Sequence, residues 1–198
     1  MKFLIKIVYF SILSVLIANN ADNNKKGFII GFGGGFHNGI VQAEQAEQSM
    51  SFNHNGASSD FKIGFSPLNN CEIYYSHKGS YFKNNDTNFM TESSGLGLTF
   101  FLNPKFFKDN KWHPSTFIAV TYGRSDYGRR DGKFSYDHGK GYSFSIGYEY
   151  TPKFRIQLNY VIGDELNSDY FDPEIRMRTS NINLSMNYMY AYFPKIKK

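Results

Sequence analysis

The chain has 198 residues, with 22 Lys+Arg against 17 Asp+Glu, 18% aromatic residues and one cysteine. That length allows one domain with a leader. The mild positive charge gives no reason to expect a nucleic-acid partner, and the single Cys71 rules out an intramolecular disulfide framework of the kind small exported soluble domains rely on.

Residues 1–21 read as a signal peptide. Lys2 and Lys6 precede an apolar run from Ile7 to Ala18, and Asn19 and Asn20 follow it. The run is shorter than the roughly 20 residues a transmembrane helix needs. Without the two leader lysines the balance is 20 basic against 17 acidic residues, or +3. Residues 22–193 form the predicted domain and 194–198 a short basic tail.

Eight strands are predicted in that domain, with long and mostly short connections alternating. The first covers about 27–37, with Phe28, Ile30, Phe32 and Phe36 on one face and Gly31, Gly33 and Gly35 on the other. A polar loop is expected over 38–58. Strand two, 59–66, turns Phe61, Ile63 and Phe65 outward, and Pro67-Leu68-Asn69-Asn70 reads as a turn. Strand three covers about 71–81, where Ile73 and Tyr75 compete with Tyr74 for the outer face. A second polar loop over 83–92 leads to strand four, 94–103, with Leu96, Leu98, Phe100 and Leu102 outward. The connection 104–114 is long, and its Phe106, Phe107 and Trp112 suit a membrane interface. Strand five is about 116–125, and a charged, aromatic loop over 126–140 follows.

Strands six and seven carry the clearest signal. Tyr142, Phe144, Ile146, Tyr148 and Tyr150 alternate with Ser143, Ser145, Gly147 and Glu149. After Thr151-Pro152-Lys153 the pattern resumes as Phe154, Ile156, Leu158, Tyr160 and Ile162 against Arg155, Gln157 and Asn159. A fourth loop over 164–176 precedes strand eight, 180–192, with Ile182, Leu184, Met186, Tyr188, Tyr190 and Tyr192 outward. Strands of about ten residues with one apolar face, and a Gly/Ser/Asn inner face, specify an all-β, eight-stranded antiparallel up-and-down transmembrane β-barrel. A soluble sandwich or lipocalin-like barrel also alternates, but its strands average five to six residues.

These segments resemble the small eight-stranded outer-membrane β-barrel superfamily: the OmpA transmembrane domain, OmpX and Opa-like opacity proteins. The resemblance covers about 26–193. It rests on the architecture, the glycine-rich first strand Gly27–Phe36 and the aromatic-terminated last strand Tyr188–Phe193. It implies location in the cell outer membrane, a porin-like or adhesion role, and reading of Tyr188, Tyr190, Tyr192 and Phe193 as a signal by the barrel assembly machinery. Phe193 departs from the pattern by being out of phase with the outer face.

Among candidate site residues, Glu149 and Arg155 should pair across the sixth hairpin turn inside the lumen. Lys62, Glu72 and Lys78 are expected inward as well, filling a narrow barrel with paired charge rather than gating it. Arg124, Arg129, Arg130 and Lys133 are expected at the loop-side rim, where guanidinium groups suit phosphates of lipopolysaccharide or an acidic host surface ligand. Lys78 falls at that side too. Acids in the same loops offset these cations.

The histidines show no metal-ligand spacing and are expected to be solvated or at the rim; no cofactor is expected. His77 and Ser80 are the only types resembling a hydrolytic pair, but opposite parity separates them. The expectation is therefore a monomeric, non-enzymatic barrel with a structural or surface-contact role. A narrow channel for small or hydrophobic solutes and a lipid A-modifying hydrolase are the alternatives.

Overall fold

A computed structural model describes residues 27–45, 48–84, 86–102, 107–108, 111–129, 135–151, 153–168 and 176–192. The expected leader (1–21) and tail (194–198) lie outside them. Ten strands are present: β1 (Gly27–Gln45), β2 (Gln48–Leu68), β3 (Cys71–Asn84), β4 (Thr87–Phe101), β5 (Phe107–Lys108), β6 (Lys111–Trp112), β7 (Ser115–Arg129), β8 (Ser135–Thr151), β9 (Phe154–Ser168) and β10 (Arg176–Tyr192). Eight of them close a barrel in the order β1-β10-β9-β8-β7-β4-β3-β2, every pair antiparallel. β5 and β6 form a two-stranded hairpin within the long connection between β4 and β7.

The barrel is inside-out relative to a water-soluble protein. Its outward side chains are large and apolar: Phe36, Leu96, Phe144, Ile146, Ile182 and Leu184 are all more than half exposed. Its inward side chains are polar and buried, including Lys62, Glu72, Gln157, Asn181 and Asn187. Only a lipid environment makes that arrangement favourable, because closure pairs the backbone groups while the outer surface needs no water. From Tyr142 to Tyr150, β8 advances about 27 Å, or about 20 Å along the axis at a tilt near 40°, which fits an apolar belt of ~25 Å. Aromatic rings mark its edges. Tyr122 and Tyr142 lie 5.2 Å apart at the upper edge, and Phe154 and Tyr188 5.3 Å apart at the lower. Both ends of the barrel chain and the β2–β3 and β8–β9 turns share one side, the periplasmic side in barrels of this type, and the β1–β2 pair runs furthest past the apolar belt on the other.

Strand three is settled by packing. Tyr74 points inward and is 2% exposed, with Thr99 Oγ1 donating to its hydroxyl at 3.2 Å, while Ile73 and Tyr75 face the lipid. The β8–β9 turn is fixed by Thr151, whose Oγ1 accepts from the amides of Lys153 (3.2 Å) and Phe154 (3.1 Å).

The largest difference from expectation is above the membrane. In the segments 38–58, 83–92, 126–140 and 164–176, expected as loops, the described residues are strand apart from Asp86. β1 and β2 stay in one register from Gly27 opposite Ser66 to Gln45 opposite Gln48. Beyond the lipid the outer face no longer has to be apolar, so the residues become polar while the ladder continues. Polarity was mistaken for irregular backbone.

Candidate functional site

Side chains span the lumen. At the periplasmic end, Arg155 of β9 donates through Nη1 and Nη2 to Glu72 of β3, at 2.7 and 2.6 Å, and through Nε to Glu149 of β8. In the strand order β9 and β3 are four positions apart, on opposite walls, so this guanidinium is a crossbar. The rings of Phe101 and Phe117 flank it, with centroids 5.2 and 5.6 Å from its carbon. A second layer lies above. Lys62 donates to Gln157 Oε1 at 2.8 Å, Gln157 donates to Asp60, and Lys78 donates to Asp60 Oδ2 at 2.9 Å and to Asn159 Oδ1 at 3.1 Å.

The charges balance. Lys62, Lys78 and Arg155 face Asp60, Glu72 and Glu149, and all six are no more than 5% exposed. A bare buried charge costs several kcal/mol, so a balanced set of three and three is the arrangement a narrow lumen tolerates. Lys78 belongs to this interior set and not to the rim, because its parity on β3 matches Tyr74 and Ser76.

Above the plug the mouth is crossed by rings. His37 donates from Nδ1 to the Ala57 carbonyl at 3.1 Å, which leaves its Nε2 to accept from His54 Nδ1 at 3.1 Å. His54 stacks on Phe82 at 3.8 Å. The row continues to Phe89 (5.7 Å) and from Phe89 to Tyr127 (5.8 Å), across β2, β3, β4 and β7. Expected as solvated or rim histidines, His37 and His54 lie at the mouth but are buried, at 4% and 6% exposed. His54 sits just above the apolar belt, opposite Gly39. Burial, reinforced by the neighbouring His37, pulls its pKa down to about 4. Their shared inward parity with Lys62 and Lys78 was the available signal.

The outer wall carries the rim. Arg124 projects outward one step above Tyr122 and is ion-paired through Nε to Asp126 at 2.6 Å; the same carboxylate meets His138 at 2.6 Å. Lys140 lies opposite both Arg124 and Asp164, and Arg178 reaches Asp164 at 3.0 Å. Thus, just above the lipid, two neighbouring cations, Arg124 and Lys140, are followed laterally by Asp164 and Arg178. The backbone of Arg129 pairs with Phe89 and Ser135. Its side chain, and all of Arg130 and Lys133, lie outside the described residues. Of the expected assembly signal, Tyr188 and Tyr190 face outward, Tyr192 pairs with Phe28 through its backbone, and Phe193 lies outside the described residues.

His77 and Ser80 fall on opposite faces of β3. His77 is outward, 3.8 Å from Glu92, and Ser80 is buried inside. Burial raises the pKa of Glu92. Among the described residues no group of three or more His, Cys, Asp or Glu is placed to hold a metal ion.

No family model matches the chain, and no curated protein matches it. Solved structures do resemble it. Ail, the attachment invasion locus protein of Yersinia pestis, solved with the heparin analogue sucrose octasulfate, is 12% identical, with 83% of this chain and 99% of that one covered and a TM-score of 0.49. Neisserial surface protein A is 13% identical, with 79% and 96% covered and a TM-score of 0.49. The outer membrane protein OprG from Pseudomonas aeruginosa is 7% identical, with 84% and 98% covered and a TM-score of 0.44. At these identities and scores the likeness extends no further than a shared barrel. By its own closure, strand count and apolar belt, the chain is an eight-stranded antiparallel transmembrane β-barrel.

Proposed function

We propose that this outer-membrane barrel is sealed and works through its extracellular surface, in envelope structure or in contact with lipopolysaccharide or a host ligand. The observation that carries the reading is the neutral plug, with Arg155 bridging opposite walls between Glu72 and Glu149. A solute would have to break the ion pairs and pass the ring row above them. Residues 1–21 serve as the export leader in this reading, and the last strand as the signal to the assembly machinery. Arg124 is the described residue best placed for a lipid or ligand phosphate: exposed, planar and one step above the aromatic edge.

The test is single-channel recording in planar bilayers on the folded, full-length protein. Conductance at the baseline of an empty bilayer is expected. Steady openings in the unmodified protein would overturn the sealed-barrel reading in favour of a narrow channel.

A further inference from the structure

The two edges of β2 are not equivalent. Toward β1 its ladder is continuous from Gln48 to Ser66, whereas toward β3 it begins only at Gly56, opposite Phe82. Among the described residues no strand is paired along the outer edge of Gln48–Asn55, and β3, which ends at Asn84, runs beside only its last two residues. That edge is about 27 Å long at the rise of an antiparallel strand. It stands above the lipid, on a strand already held in extended form by β1.

Free edges are normally guarded by Lys, by Pro or by a bulge that twists them away. The stretch Gln48-Ser49-Met50-Ser51-Phe52-Asn53-His54-Asn55 contains no charged residue and no proline, and its ladder with β1 has no register shift. One face of it is apolar: Met50 is 74% exposed, and Phe52 is half-buried beside it with the same parity.

A second, independent feature meets the lower end of this edge. A cavity of about 480 Å³ opens there, lined by Asn55, Gly56, Phe82, Lys83, Asn88 and Phe89. Its volume lies in the range that admits a large side chain with room around it. The stacked rings of Phe82 and Phe89 form its wall, and the Lys83 charge is paired with Asp86 at 2.8 Å, so the cavity suits an uncharged occupant.

We infer that Gln48–Asn55 is a strand-addition site. Its partner is an extended, uncharged polypeptide segment that lies along the free edge. Alternate apolar side chains cover Met50 and Phe52, and one large or aromatic side chain enters the Phe82–Phe89 cavity. The backbone ladder supplies affinity and the cavity sets register. This rests on the surface-contact reading above and names the chemistry of the partner.

The test uses the full-length barrel in detergent micelles and a random dodecapeptide phage library as the probe. Ser51→Pro and Phe52→Pro place the ring in the two possible frames. The variant that keeps its compact band on unboiled gels has lost the outward amide and serves as the edge-blocked control; if it is Phe52→Pro, Phe52→Ala is measured beside it to separate loss of the ring from loss of the amide. Selection on the unmodified barrel, with counter-selection on this control, should enrich alternating sequences bearing an aromatic residue. A synthetic peptide of the enriched sequence should slow hydrogen exchange at every second amide of Gln48–Asn55. It should bind at least tenfold more weakly to the edge-blocked variant and to Phe82→Ala, and equally well to Arg124→Ala.

No enrichment beyond the control, or protection elsewhere on the barrel, would overturn the inference. So would barrels that sediment as dimers through this edge and exclude the peptide, which would identify a second copy as the occupant. A conducting but peptide-binding barrel would refute the sealed lumen alone, so the two readings fail separately.

Discussion

Removing Arg155 is the sharpest perturbation of the plug. Arg155→Met keeps most of the side-chain length and its packing between Phe101 and Phe117, but strips the positive charge from between Glu72 and Glu149. Both carboxylates are 0% exposed, and Glu72 loses two hydrogen bonds of 2.7 and 2.6 Å at once. Breaking a buried pair by deleting one partner costs about 3–5 kcal/mol, most of it the uncompensated charge that remains. Here two charges remain, so the loss should fall at the upper end of that range. The triple variant Arg155→Met, Glu72→Gln, Glu149→Gln removes the charge problem, and should recover more than half of it. The assay is reversible urea unfolding in micelles, read as the shift of the midpoint at constant slope. A single variant that loses less than ~1 kcal/mol, as an exposed pair would, or a triple variant no better than the single, would show that water reaches these groups and that the crossbar argument is wrong.

Other expectations follow from the belt, the seam and the mouth. Ile146→Arg, at the middle of the lipid-facing run of β8, should cost about 2–4 kcal/mol, whereas the same change on a water-facing surface would cost almost nothing; equal stability would argue against membrane insertion. Gly35→Val should abolish the compact unboiled gel band, since even a Cβ at this position would lie 1.9 Å from the Leu184 carbonyl oxygen; normal folding would refute the close approach of β1 and β10. His54 has a folded pKa near 4 against an ordinary 6.5, so it contributes stability above pH 6.5 that is lost as the pH falls toward 4. The loss is at most about 3 kcal/mol. Amides near Gly39 should therefore open more readily at pH 5 than at 7.5, beyond the intrinsic pH effect, and His54→Phe should remove the difference.

What could be read from the sequence depended on what the lipid enforces. Within the belt, period-two alternation is compulsory, and it located Phe144 and Ile156 outside and Arg155 and Gln157 inside. The turn at Thr151–Lys153 made Glu149 and Arg155 near neighbours, so their juxtaposition was legible. Glu72 was only expected to face inward. Its role as the far end of the crossbar depends on β3 and β9 lying on opposite walls, which is set by barrel closure and has no local trace. Above the belt the outer-face constraint disappears, so Gln42, Ser49 and Asn53 resembled loop residues although they are strand. The histidine pair was not legible for a related reason: His37 ends the predicted first strand, but its partner through the β1–β2 register, His54, falls in the segment expected as a loop.

The glycine run of β1 has a bearing on how the molecule is made. β1 and β10 are the most distant strands in sequence, yet they pair without interruption from Phe28 opposite Tyr192 to Glu44 opposite Arg176. Neighbouring hairpins such as β3–β4 and β8–β9 close short loops and can form early, whereas this pairing must wait until both ends of the domain are present. Gly31, Gly33, Gly34 and Gly35 place almost no side chains in the way of that final joining. The last step of assembly can thus proceed as backbone zippering, with few rotamers to sort, inside a lumen whose crossbars set the spacing between its walls.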